Sequence, residues 1–424
     1  MSQADVLIVG AGLAGLCCAR TLREHGVSCL LLEASDGAGG RVRTDTVEGF
    51  RLDRGFQVLL TAYPEAQARL DYASLRLYSI TPGATVWTGD GFARLHDPFR
   101  HPGGAFATVF SAVGGLRDKL RVAAMRRELL HTSIQQIFSR GETSARAALL
   151  RRGFSSQMID RFFRPFFGGI QLDATLGVSS RMFEFVFKML AEGDAALPAG
   201  GMQAIPDQLA AALPEGSIRF GARVHSIERN HVRLDSGEEL TAEAVVVACD
   251  AWEAAEMLPQ LGKIPWRSVT CAYYAASEPP QRGPVLILNG SGAGSVNHLA
   301  VLSEVAPEYA PAGQSLISAT VLGIPSRDDE TVDAVVRGHL LTLYGDQVKA
   351  WRLLRVYRIA HAQPAPAGAM KWLTPTRLAP GLYACGDYLA TPSIQGAMES
   401  GRRAAGSLLD ELAPALRASP LPTS

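Results

Sequence analysis

The stretch Val6-Leu7-Ile8-Val9-Gly10-Ala11-Gly12-Leu13-Ala14-Gly15 decides how this chain is read. Four apolar residues of strand type run into a GxGxxG turn, and a helical spacing through Leu16, Ala19 and Leu22 follows. Strand, glycines and helix in that order build a site for a dinucleotide pyrophosphate. Gly10 permits the tight turn, Gly12 removes the side chain that would hold phosphate off the backbone, and Gly15 lets helix and strand pack closely. The helix N-terminus then turns its dipole and free amides toward the phosphates. After Gly26, Val27 to Leu32 reads as a second buried strand. It ends in Glu33, near the offset of about 20 residues at which an acid binds a ribose diol. An acid there disfavours the 2′-phosphate of NADP and leaves NAD and FAD unseparated.

Around this unit the composition is that of a globular chain, with 47% hydrophobic and 19% charged residues and 42 glycines. Its 424 residues are about three times the commonest domain size, which predicts two domains or one large fold of interleaved segments. Lys plus Arg, 41, equal Asp plus Glu, 41, so no net field gathers nucleic acid, and none is expected as a partner. Cys17, Cys18, Cys29, Cys249, Cys271 and Cys385 show neither a CxxC pair nor zinc-type spacing. They are expected as buried thiols in a reducing cytoplasm, with no metal site.

The N-terminus lacks a secretory pattern, and no apolar run approaches the ~18 residues that span a bilayer. A cytoplasmic protein is expected, with peripheral membrane contact left open. Ala105 to Leu130 intersperses apolar residues with Arg117, Lys119, Arg121, Arg126 and Arg127. That pattern fits an amphipathic helix on an anionic membrane, and it fits a solvated helix face.

Beyond Glu33 comes Ala34-Ser35-Asp36-Gly37-Ala38-Gly39-Gly40-Arg41-Val42-Arg43-Thr44. Near the other end lie Gly381-Leu382-Tyr383-Ala384-Cys385-Gly386-Asp387 and Ser393-Ile394-Gln395-Gly396-Ala397-Met398-Glu399. Together these resemble the signatures of the flavin amine oxidase and phytoene (carotenoid) desaturase-like superfamily of FAD-dependent oxidoreductases. The resemblance implies FAD as cofactor. It puts Gly39 and Gly40 against the cofactor and Arg41 on the pyrophosphate, where its planar fork of donors neutralises charge. It also puts Asp387 at the ribityl or phosphate region and the helix start at Gln395, Gly396 and Ala397 near the flavin pyrimidine. In Gly221-Ala222-Arg223-Val224, the backbone of Val224 matches the residue that pairs with adenine. Val245 to Asp250 matches the strand after a hairpin over Arg233 to Leu240, with its Ser236-Gly237 turn.

The implied fold is α/β, a Rossmann-type FAD-binding domain (glutathione-reductase-like) with an interleaved α+β substrate domain. The FAD domain is expected over residues 1–75, 197–262 and 356–415, and the substrate domain over residues 76–196 and 263–355. Pro/Gly clusters at Pro198 to Gly201 and Pro279-Pro280 punctuate these crossings.

The implied chemistry is hydride transfer to flavin N5, which needs a held C–H bond and a dry site rather than a paired acid and base. Gln57, in a loop resembling the one that approaches the isoalloxazine, and Tyr274 are the candidate substrate-side residues. Two departures bear on the substrate. The strand Ser268 to Tyr274 lacks the lysine of many amine oxidases, and Ser393 stands where their cage places a tyrosine. The leading expectation is therefore a dehydrogenase or desaturase of an apolar, isoprenoid-like small molecule, its electrons passing on to oxygen, a quinone or another protein. The alternatives are an amine oxidase with an atypical cage and a non-catalytic lipid escort. Aromatic core and substrate channel are both open for Arg161 to Gly169. His225, His298 and His361 receive no role.

Overall fold

The computed structural model describes residues 4–96, 113–365, 370 and 372–418. β1 (Val6–Val9), helix α1 (Leu13–Glu24) and β2 (Cys29–Leu32) form as the sequence predicts. They start a six-stranded sheet in the order Ile218–Arg219, β2, β1, Ala244–Val247, Leu382–Ala384, Arg377–Ala379. Every pairing is parallel except the last. Buried parallel strands carry no polar face, which is why β1 and Ala244–Val247 are apolar at every position.

A second, mixed sheet has seven strands. Its order is Arg352–Pro364, β3 (Trp266–Ala276), Ser315–Leu322, β4 (His298–Val301), Leu286–Asn289, Gly83–Trp87, Phe92–His96. Its side chains alternate between two cores. Cys271, Tyr273 and Ala275 join the main core, whereas Ala272, Tyr274 and Ala276 pack with Val332, Val336 and Leu340 of the helix Asp329–Tyr344. The architecture is α/β with mixed sheets and helices.

The predicted hairpin is present as His231–Leu234 against Glu239–Thr241, with Gly237 at φ +86° in its turn. Of the amphipathic segment, residues 105–112 lie outside the described residues, and a helix, α2 (Leu116–Leu130), forms its C-terminal part after a turn at 113–115. Two of its cations serve the fold, Arg121 beside Asp118 at 3.7 Å and Arg126 donating to the Ala191 carbonyl. Leu116 and Leu120, one turn apart, are 57% and 62% exposed. No helix of the described residues is long and apolar enough to cross a membrane.

One buried knot joins distant segments. The Asp53 carboxyl, 1% exposed, accepts from the Thr44 hydroxyl (2.5 Å), the Met202 N–H (2.9 Å) and the Tyr309 hydroxyl (2.8 Å). The Tyr273 hydroxyl donates to the Asp53 carbonyl at 2.8 Å. Burial without a cation pushes the Asp53 carboxyl up to about 6, with the hydrogen bonds pulling the other way. A folded value above the unfolded ~3.9 contributes stability that is full below about pH 4 and lost as pH rises through about 6. Urea unfolding at pH 4, 5, 6 and 7 should therefore show Asp53→Asn gaining on the wild type across that window, by about 3 kcal/mol at most. Parallel stability curves for the two proteins would show that this carboxyl titrates normally.

Candidate functional site

A cleft of about 640 Å³ is lined by both sheets. Val9, Leu32 and Ala248 line it at the carboxyl ends of parallel strands, and Val269, Leu286, His298, Thr320 and Ile359 line it from the seven-stranded sheet. Crevices at carboxyl ends of parallel strands are where open α/β sheets bind ligands.

Local backbone geometry shapes the first end. Gly10, at φ +104°, turns the chain out of β1 and donates its N–H to the Leu32 carbonyl at 2.8 Å. Gly12 caps α1 with no side chain on the first-turn amides, and a Cβ there would meet nothing within 4 Å. That is a bare cradle facing the cleft, the form an anion at a helix N-terminus requires. A Cβ on Gly15 would lie 2.1 Å from the Gly10 carbonyl oxygen, so this glycine is what lets α1 leave β1 at that angle. Gly39 donates to the Ala11 carbonyl at 2.9 Å and bridges Gly12, bringing Gly39, Gly40 and Arg41 to the wall.

Glu33 ends β2 with one carboxylate oxygen on the Ala11 N–H (2.8 Å) and the other on the N–H and hydroxyl of Ser35 (2.8 and 2.7 Å). It fastens the glycine turn while lining the cleft beside Val224. The Arg41 guanidinium meets Asp387 bidentately, at 2.6 and 3.0 Å, and also donates to the Ala362 carbonyl at 3.0 Å. Gln57 lines the cleft with its amide N–H groups on the Arg41 and Arg54 carbonyls, at 2.8 and 3.2 Å. Gly10, Gly12, Glu33, Gly39, Gly40, Arg41, Gln57, Val224, Asp387 and Ala397 thus share one cavity.

Three further expected residues, Gln395, Gly396 and Tyr274, do not line the cleft. The Gln395 side chain accepts from the Glu65 N–H at 2.9 Å and turns its amide toward Glu399. A Cβ on Gly396 would lie 1.9 Å from the Thr391 carbonyl, so its bareness serves the turn into α3 (Ile394–Ala418). Ser393, Ile394 and Ala397 present that helix start to the cleft instead. Tyr274 is on the far face of β3, fully buried, its hydroxyl donating to Asp333 at 2.7 Å.

In the aromatic segment, Phe163 and Phe167 are core, while Phe166, Gly169 and Ile170 line the cleft. His298 and Thr320, given no role from sequence, line it too. An isolated histidine carries no motif, and only strand register brings it to this wall. Burial holds the His298 imidazole down at about 4, so it is neutral near pH 7.

The family model for flavin containing amine oxidoreductases matches residues 13–409. Putrescine oxidase of Kocuria rosea is 42% identical over 109 residues, 25% of this chain and 23% of that protein. The zeta-carotene-forming phytoene desaturase of Myxococcus xanthus is 28% identical over 288 residues, 60% of this chain and 54% of that protein. The chain thus spans from about a quarter to just over half the length of these curated relatives. An oxidoreductase from Methanosarcina mazei superposes with a TM-score of 0.72 over 96% of this chain and 99% of its own, at 17% identity.

Two glycines of one motif should respond oppositely to a methyl group. Gly15→Ala forces α1 off β1 and should cost about 3 kcal/mol. Gly12→Ala, at φ −72° and ψ 177° with open space for its Cβ, should stay within about 0.5 kcal/mol of wild type. Chemical denaturation of the ligand-free proteins measures both, and equal losses would contradict this division of roles.

Proposed function

The chain belongs to the flavin-containing amine oxidoreductase family, whose members are FAD-dependent oxidoreductases, and we propose that it dehydrogenates an apolar, isoprenoid-like small molecule. The carrying observation is how charge divides along the cleft. Glu33, Arg41, Arg43, Arg223, Asp250, Glu253 and Asp387 gather around the glycine motifs. Around the seven-stranded sheet the described lining is mostly apolar (Phe56, Val58, Phe166, Ile170, Met182, Val186, Leu286 and Ile359), and its polar members, Arg54, Gln57, His298, Thr320 and Gln363, include no carboxylate. An ammonium substrate would lose its hydration there without a counter-charge, whereas an apolar chain gains by burial.

On this reading residues 1–75, 197–262 and 356–415 form a glutathione-reductase-like FAD part, and residues 76–196 and 263–355 form the substrate part. Gly10, Gly12 and the α1 amides take the pyrophosphate, Glu33 the ribose and the Val224 backbone the adenine. Arg41 and Asp387 take the diphosphate and ribityl region, and α3 begins beside the pyrimidine. Bound flavin supplies the hydride acceptor. Phe56, Phe166 and Ile170 hold the substrate and exclude water, and Gln57 fixes the loop that carries Phe56. The exposed Leu116 and Leu120 support contact with a lipid surface from which such a substrate is drawn. Amine oxidation is the second reading, favoured by the 42% identity to putrescine oxidase over 109 residues.

The purified protein should be yellow and release FAD, and anaerobic addition of a polyisoprenoid lipid should bleach it. Bleaching and peroxide release with amines alone would establish the second reading instead. Glu33→Ala and Asp387→Ala should each weaken FAD binding by roughly 1.5 to 3 kcal/mol, measured as the dissociation constant of reconstituted apoprotein. Full affinity in both would refute the assigned FAD contacts.

A further inference from the structure

The neutral end of the cleft holds two polar side chains whose hydrogen-bonding capacity the fold leaves unused. His298 on β4 and Thr320 on Ser315–Leu322 are cross-strand partners, so their side chains stand on the same face of the sheet. They are 4% and 2% exposed, and both line the cleft. The His298 Nε2 has no hydrogen-bond partner in the structure, and the Thr320 hydroxyl has none beyond the weakly bonding thiol of its cross-strand neighbour Cys271. Buried polar groups are nearly always paired, so an orphan imidazole nitrogen beside an under-used hydroxyl on one cavity wall calls for an explanation.

The tautomer follows from the neighbours. The Asn297 side-chain N–H donates to the Pro165 carbonyl at 2.9 Å, and a carbonyl can only accept, which fixes that end of Asn297 as its NH₂ group. The same nitrogen lies 3.0 Å from His298 Nδ1, so Nδ1 accepts and the single ring proton sits on Nε2. Helix packing holds the ring in place. A Cβ on Gly169 would lie 2.9 Å from His298 Nδ1, so only glycine lets the helix Arg164–Gln171 seat against the imidazole. The Phe56 ring meets it edge-on at 5.1 Å. An N–H donor is thus rigidly held beside a hydroxyl in a mostly apolar part of the wall that carries no carboxylate.

We infer that the substrate carries an uncharged oxygen, a carbonyl or a hydroxyl, that accepts from His298 Nε2–H and hydrogen-bonds with the Thr320 hydroxyl. This rests on the apolar reading above and narrows it from a hydrocarbon to an oxygenated apolar molecule. The donor is neutral, because burial holds the imidazole at about 4, so it does not call for a carboxylate. An ammonium, which only donates, would face the His298 N–H and find only the Thr320 oxygen to accept from it, with no carboxylate to balance its charge. Selectivity then comes from the hydrogen bond that an oxygenated substrate gains and a hydrocarbon cannot, the donor's desolvation having been met already in the folded protein.

The test measures binding rather than turnover. Four C15 probes of one skeleton, farnesal, farnesol, β-farnesene and farnesylamine, are titrated into the flavin-loaded protein by calorimetry, with His298→Phe and the near-isosteric Thr320→Val beside the wild type. Farnesal or farnesol should bind the wild type about tenfold tighter than β-farnesene. That ratio should fall toward one in His298→Phe and decrease in Thr320→Val, while β-farnesene keeps its affinity. Retained flavin in each variant certifies folding, and Thr320→Val serves alone should His298→Phe lose it. If the wild type binds β-farnesene and the oxygenated probes equally, the apolar reading stands and the oxygen contact is overturned. A shifted flavin spectrum in His298→Phe with the preference intact puts the N–H on the cofactor and also overturns it. Binding of farnesylamine alone, or of no probe, defeats the apolar reading and this inference with it.

Discussion

Arg41 and Asp387 stand 346 positions apart, and the bidentate pair they form is where the two ends of the chain are made to meet. A planar guanidinium accepts a carboxylate in few orientations, so the pair fixes the angle between the loop after β2 and the loop before α3 as well as their distance. α3 then lies along α1 closely enough that a Cβ on Gly401 would sit 2.0 Å from the Ala14 carbonyl. With the backbones pressed together there, the first-turn amides of α1 and the start of α3 open into one cleft. The Arg41 side chain is one-third exposed and that of Asp387 only 6%, so the pair is partly buried, and its geometric role is joined by the need to keep the Asp387 carboxylate matched by a cation.

Features written in contiguous residues are legible in the sequence itself. β1, its glycines, α1 and Glu33 all fall within about thirty positions, and each carries its own local signal: apolar run, turn, helical period, terminal acid. The hairpin over residues 231–241 is legible for the same reason, because a Ser-Gly turn between alternating residues needs no tertiary context. Arg41 and Asp387 are legible only through family resemblance. Nothing local says that a carboxylate after a C-terminal strand will face an arginine near the N-terminus.

Features that depend on parity are not legible in this way. In β3 neighbouring residues face opposite cores, so placing Tyr274 on the cleft side rather than Cys271 and Tyr273 is an error of one position, and one position reverses the face. The same rule at helical period sends the Gln395 side chain away from the cleft while the helix start it belongs to stays there. Ile394 and Ala397, three apart, face the cleft, and of the two residues between them Gln395 turns its side chain to Glu65 and Glu399. His298 and Asp53 escape a reading of the sequence for a related reason. Each gains its meaning from strands and helices brought beside it by topology: Asn297, Gly169 and Thr320 for one, Thr44, Met202 and Tyr309 for the other.

These two buried groups solve opposite problems of burial. Asp53 has both carboxyl oxygens engaged by donors from separate segments, so its desolvation is offset in part by cross-linking, and it belongs to the frame. His298 is held as rigidly, by Asn297 and by the helix at Gly169, yet its second nitrogen has nothing to bond. A fold able to satisfy a buried carboxylate threefold, in the same core, does not lack the means to satisfy one imidazole N–H. An orphan donor at the neutral end of a cleft whose other end carries the charge is therefore best understood as preorganisation: its cost is met in the folded protein, and its partner arrives with the substrate.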